Sequence, residues 1–293
     1  MFASMSRIAL SGLACLLLAL PASAQRGKEP PVLIPPGTDT EAPAETPTES
    51  PAGEDPEGAG IAAPALGDTA SNQPRPLPEG IKLPYTRNRT LIDVDGNSIS
   101  TAELNQLVAY YQSFRPGSMD LLLRDAVEAL MPSKVMAMRY RQDLPAMKQR
   151  IDEALAAIRG GKMSWKDAVA KYSDDYEEEN PEGQYVFGRE RAVQPFDRFS
   201  HVGRVGQIHG PFLTVYGYHF LEIQAYERAA DAKDDKTTVR HVLVMYPDLK
   251  KRDAADEDIR AFIKEQVRAA KKTALERGAE NLIAPPKPAP KED

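Results

Sequence analysis

Proline placement limits what this chain can fold into more than any other feature. Thirteen of its 25 prolines lie between residues 25 and 85, and four more crowd residues 284–293. Each proline fixes one backbone dihedral and removes one hydrogen-bond donor. The rest of 25–85 is largely Ala, Gly, Thr and Glu, with few apolar residues at a helix or strand period. Such a segment cannot bury enough surface to offset its ordering entropy. Residues 25–85 therefore read as a disordered tether and 283–293 as a disordered tail. A glycine pair at 58 and 60 imitates a dinucleotide fingerprint, but no strand precedes it. About 195 of the 293 residues are left to build a fold.

Ahead of the tether, residues 1–24 read as a cleavable signal sequence. Arg7 supplies the positive start, Ile8 to Leu20 the apolar run, and Ala22-Ser23-Ala24 the small-residue cleavage site. Thirteen apolar residues fall short of the roughly 20 that span a bilayer, so no stable membrane insertion is expected after cleavage. The mature chain is expected to be secreted or periplasmic. Cys15 is the only cysteine and leaves with the signal, so disulfides, thiolate chemistry and Cys-ligated zinc are excluded. The formal net charge is −6. An acidic chain does not steer toward nucleic acid or an anionic membrane, and neither is an expected partner.

The foldable part opens with a short strand over 90–94 and an Asp95-Gly96 turn. Ser100 and Glu103 then form a capping box for a helix carrying Leu104, Leu107, Val108 and Tyr111. A second helix is expected from Ser118 to Leu130, broken or kinked at Pro132. Residues 133–141 suit a helix or a strand equally. Ile151, Leu155 and Ile158 mark a helix stopped at Gly160-Gly161, and Ser164 with Asp167 caps another that carries Trp165. Strands are expected over 218–223 and 239–244, the latter rich in β-branched residues. Ile259, Phe262, Ile263 and Val267 define an amphipathic helix with Gly278 as its C-cap. Helices packed on a small antiparallel sheet make an α+β fold. The expected domains are a helical segment over 88–146, a sheet domain over 147–245 and a C-terminal helix over 246–282.

Metalloprotease, P-loop and nucleophile-elbow motifs are absent. His201 and His209 fall in a Gly-rich stretch and read as surface loop histidines. His219 and His241 each sit in the middle of an apolar strand. If those strands are antiparallel neighbours with a loop over 225–235, equal offsets about Ala230 place His219 opposite His241. Two imidazoles that close can share a hydrogen bond, each fixing the other's tautomer. Two structural core histidines satisfy the same pattern.

Three stretches carry a resemblance. Residues 205–223, VGQIHGPFLTVYGYHFLEI, hold a Gly-Pro, a Thr and then a Gly-aromatic-His before an apolar strand. Residues 162–175 hold a Trp, an Ala and a Tyr-Ser-Asp-Asp ending, and 193–196 read Val-Gln-Pro-Phe. In that order they resemble a parvulin-type peptidyl-prolyl cis/trans isomerase over about 147–244. Residues 94–104 resemble the helical chaperone segment of periplasmic parvulins. Two departures stand out. The family's Gly-rich turn is reduced to Glu182-Gly183-Gln184-Tyr185-Val186-Phe187-Gly188. The family's first strand, which carries a histidine, has no counterpart ahead of the helices, where Arg139 aligns best. The segment 237–245 matches that strand but follows the last one. The domain is expected to be circularly permuted, because a lone strand would leave a bare edge. A truncated second unit, or a strand donated to another chain in an exchanged dimer, are the alternatives.

The resemblance implies a fold and a site. The fold is a small four-stranded antiparallel sheet packed by helices. In the site, His219 and His241 form the histidine pair, Thr214 bonds to it, and Asp175 occupies a position where the family has Cys or Asp. Phe196 is implied as the apolar pocket wall, with Val193 and Phe187 beside it. No metal or cofactor is implied. The implied partners are unfolded or newly exported polypeptides with Xaa-Pro bonds. A holdase that keeps the shape without useful turnover is the competing expectation.

Overall fold

A computed structural model describes residues 72–251 and 256–284. The expected signal sequence, most of the tether, the fingerprint mimic and the tail beyond 284 lie outside the described residues. Strand β1 (Thr90–Val94) turns through Asp95-Gly96 into β2 (Asn97–Ser100), an antiparallel pair. Ser100 caps α1 (Thr101–Gln112), and its capping box with Glu103 is complete. Helix α2 (Met119–Arg139) continues past Pro132. The break expected there does not occur, and 133–139 is helix. Its inward face, Leu122, Ala126, Val127, Leu130 and Met136, is buried on both sides of the proline. That packing outweighs the one lost backbone bond.

Helix α3 (Leu144–Arg159) ends at Gly160, and α4 (Trp165–Tyr172) starts from Ser164, whose hydroxyl accepts the Asp167 N–H. Then come β3 (Gln184–Gly188), α5 (Phe196–His201), β4 (Ile208–Leu213), β5 (Gly217–Glu227) and β6 (Lys236–Met245). Helices α6 (Pro247–Lys250) and α7 (Asp256–Ala269), strand β7 (Lys272–Ala274) and α8 (Glu280–Ile283) close the described chain. The fold is α+β.

Two sheets result. One is three-stranded, β2-β1-β7; the other is antiparallel and four-stranded, β3-β6-β5-β4. The second holds its last strand, β6, inside. β6 is therefore paired along both edges, and its second half, His241 to Met245, is buried on both faces and reads as a nearly unbroken apolar run. Its core joins Trp165, Val169, Phe220, Ile223, Val239 and Val242. The first sheet packs with α1 and α2 around Ile92, Ile99, Leu104, Tyr110 and Val127.

The C-terminal part departs from expectation. The amphipathic helix ends at Ala269, and Gly278 does not cap it. The chain instead adds β7 to β1, pairing Asp93 with Thr273. The helical segment is thus built from both sides of the sheet domain in sequence. Residues 72–75, expected within the tether, are also fastened. Arg228 donates to the Gln73 and Pro74 carbonyls, and Arg75 pairs with buried Asp235 at 2.8 Å.

Candidate active site

Four side chains from four parts of the sheet domain meet on one face of β5 and β6. His219 is on β5 and His241 on β6, with relative exposures of 0% and 1%. The register pairs Leu221 with His241 and His219 with Leu243, so the two histidines are diagonal neighbours. The expectation that they stand opposite is corrected. The hairpin closes on the pair Glu227–Lys236, beyond a centre at Ala230, and a one-residue irregularity between Ile223 and Ala225 leaves the register at the histidines two residues from the one centred on Ala230. A shift by an even number of residues keeps both rings on the same face. Their planes lie within 13° of parallel, and the Nδ1 atoms are 3.3 Å apart.

Thr214 sits in the turn between β4 and β5. Its N–H bonds to the Gly217 carbonyl, and its Oγ1 accepts the Tyr216 N–H at 3.0 Å. Gly217 has φ +145°, and a Cβ there would stand 2.1 Å from the Val244 carbonyl oxygen. Only glycine lets this turn lie so close to β6. The turn delivers Thr214 Oγ1 to 2.9 Å from His219 Nε2.

Asp175 arrives from the loop after α4. Ser173 Oγ accepts the Leu243 N–H, Asp174 Oδ2 accepts the Met245 N–H, and Asp174 N–H donates to the Leu243 carbonyl. These bonds tie the loop to β6, and Asp175 Oδ2 comes to 3.1 Å from His241 Nε2. The nitrogen and the carboxylate are close but not aligned as a hydrogen bond. Tyr185 donates its hydroxyl to the same oxygen at 3.0 Å, and its ring meets His241 edge-on.

The partners assign the tautomers. A carboxylate beside His241 Nε2 favours a proton on that nitrogen, which makes His241 Nδ1 the acceptor. His219 then donates from Nδ1, and its Nε2 accepts the Thr214 hydroxyl. The chain Thr214–His219–His241–Asp175 thus has one direction. Burial, with the neighbouring His241, pushes the His219 pKa well below that of a free imidazole.

Phe196 lies beneath both rings, 5.3 Å edge-on from each, with a relative exposure of 0%. It is a core residue in this state and lines no open groove. Val193 is buried as well, while Phe187 is half-buried, 6.0 Å from Phe196. Two aromatics of the cluster were missed from the sequence. Tyr185 shares with Phe187 the inward face of β3, between exposed Gln184 and Val186, and that alternation was the available signal. Phe212 lies 7° from parallel to His219 at 6.0 Å; its strand carries no alternation to announce it.

His201 is buried and not on a surface loop. Its Nδ1 is 3.3 Å from the Tyr226 hydroxyl, and its pKa is pushed down to about 3 by burial and by Arg189. His209 is half-buried on β4. Neither touches the histidine pair.

Residues 114–225 match the rotamase family, described as a PPIC-type PPIase domain. The chaperone SurA of Methylococcus capsulatus is 30% identical over 103 residues, which is 33% of this chain and 21% of that protein. The match therefore spans about a fifth of that relative's length. No solved structure matches the chain. Among the described residues, no helix is long and apolar enough to cross a membrane.

Proposed function

Because this chain carries a parvulin-type rotamase domain and is similar to a SurA chaperone, we propose that it is a peptidyl-prolyl cis/trans isomerase acting on unfolded or newly exported chains. The observation that carries the reading is the directed chain Thr214–His219–His241–Asp175 above Phe196. In this reading the domain is circularly permuted, with β6 acting as its first strand and His241 completing the site of its own chain. The protein works outside the cytoplasm, in the periplasm or beyond it.

Rotation about an Xaa-Pro bond faces a barrier of about 18–20 kcal/mol from amide resonance. No bond breaks. The site needs only to bind the twisted amide better than either planar isomer. A twisted amide has a less polar carbonyl, so an apolar aromatic surface favours it over the planar forms. Tyr185 and Phe187, half-buried beside the pair, present that surface, and Phe196 supports it from behind. The histidine chain fixes the polar atoms beneath the peptide without reorganising.

A holdase is the second reading, and one observation favours it: His219, His241 and Phe196 are all sealed from solvent. Exchange NMR on a short Xaa-Pro peptide separates the two. Uncatalysed exchange takes tens to hundreds of seconds. The isomerase reading predicts exchange within about a second at micromolar protein. Exchange unchanged by the folded protein overturns it in favour of the holdase.

A further inference from the structure

Beside the histidine site, at the seam between the helical segment and the sheet domain, lies a second concave feature. It is a cavity of about 320 Å³ walled by Lys134 and Leu130 of α2, by Arg198 and Phe199 of α5, and by Pro195 and Phe212. That size is at the small end of ligand pockets, and suits one or two side chains of an extended chain.

Its charges are unequal. Lys134 is matched by Glu103 at 2.6 Å. Arg198 has no carboxylate partner among the described residues; its guanidinium lies 4.2 Å over the ring of Phe199. Its neighbour on the helix, Asp197, is fully buried and bonded to the Tyr110 hydroxyl, so it does not serve Arg198. Burial and the charge of Arg198 together lower the pKa of His209, and burial lowers that of Arg198 itself. A partly desolvated guanidinium without a counter-ion, at a cavity wall, is a site for a carboxylate.

Ring contacts link the cavity wall to the site described above. Phe199 is 4.7 Å from Phe212, and Phe212 is 6.0 Å from His219. With the 4.2 Å between guanidinium and Phe199, the charge lies no more than about 15 Å from His219, or four to five residues of extended chain.

We propose that this cavity is a specificity subsite in which Arg198 binds an Asp or Glu side chain of the client, within about four residues of the proline. The proposal rests on the isomerase reading, but its binding test does not. The probes are acetylated dodecapeptides with one central Ala-Pro bond, carrying Glu or Gln either at the three positions two to four residues before the proline or at the three positions two to four residues after it. Calorimetric titration of the full chain should show the Glu peptide binding about tenfold more tightly than the Gln peptide at one of the two placements. Arg198→Met should bring that ratio to about one, and Arg198→Lys should keep part of it. Equal affinity of Glu and Gln peptides for the native chain at both placements overturns the subsite, whether or not Arg198→Met folds. A preference that survives Arg198→Met overturns the assignment to Arg198. Binding with this preference but without turnover supports the subsite while overturning the isomerase reading.

Discussion

His219 and His241 are two residues out of register on neighbouring strands, yet their Nδ1 atoms lie 3.3 Å apart. Diagonal neighbours on one face remain within reach of long or aromatic side chains. This pair is held there by what flanks it, Thr214 on one side and Asp175 on the other. Two separate backbone devices place those flanks: the Thr214–Gly217 turn and the Ser173–Asp175 loop tied to β6.

If the site is completed within one chain, separately damaged copies cannot repair each other. His219→Asn and His241→Asn chains, mixed and refolded together, should show no more isomerase activity than either alone. A strand-exchanged dimer predicts recovery of about a quarter to a half of the native rate.

Phe196 is fully enclosed by aromatic rings and by the histidine pair. Phe196→Ala should cost about 3–5 kcal/mol through lost burial and the cavity left behind. Urea denaturation monitored by the far-UV signal measures this, with an unchanged slope expected. A loss below about 1 kcal/mol would mean that the ring is exposed in solution.

Asp235 is a second buried hub. It accepts from Arg189 at 3.2 Å, from Tyr226, from the Ala229 N–H and from Arg75. Asp235→Ala leaves Arg189 charged, buried and unpaired, and should cost about 3–5 kcal/mol. The comparison with Arg75→Ala is informative, because that partner is partly exposed and should cost about 1 kcal/mol or less.

Acid should destabilise the protein with a definite sign. His219 and His201 have pKa values lowered in the fold, the latter to about 3, whereas an unfolded histidine titrates near 6.5. Below about 6.5 the unfolded chain therefore takes up protons on these two that the fold refuses, half-buried His209 acts in the same direction, and stability falls. Asp197 opposes this, since burial raises its pKa to about 6 and the folded chain then binds one extra proton between about 4 and 6. The histidines outweigh Asp197, for a net loss on the order of 1 kcal/mol per pH unit between pH 6 and 5. Urea midpoints at those pH values measure it. A midpoint that rises on acidification contradicts the burial of the two histidines.

Local rules made much of this fold legible. The Ser100–Glu103 box, the Ser164 cap, the Gly160 stop and the two long strands follow from residues within a turn or two of each other. What escaped depends on distant partners. Pro132 stays inside α2 because buried residues on both sides of it pack against other elements. Strand β7 forms only because β1 offers an open edge. Residues 72–75 are fixed by Arg228 and Asp235, more than 150 positions away. His201 is buried because Tyr226 and Phe187 come to it from the sheet. At the site, the histidine pair was legible as a pair, but its register was not, since neither the closing pair of the hairpin, Glu227 with Lys236, nor the irregularity in β5 leaves a mark in composition. Phe196 was legible as an apolar position, and the sequence carries no signal of whether such a ring faces substrate or core.

The most direct test of the account is exchange NMR on an Xaa-Pro peptide with the native chain and with His241→Asn, both checked for folding by thermal melting. Misplaced catalytic geometry costs about a hundredfold in rate, so the account predicts native catalysis and a loss of about that size in the variant. Equal catalysis by the two folded proteins would contradict it, because β6 would then contribute a strand to the sheet and nothing to the site.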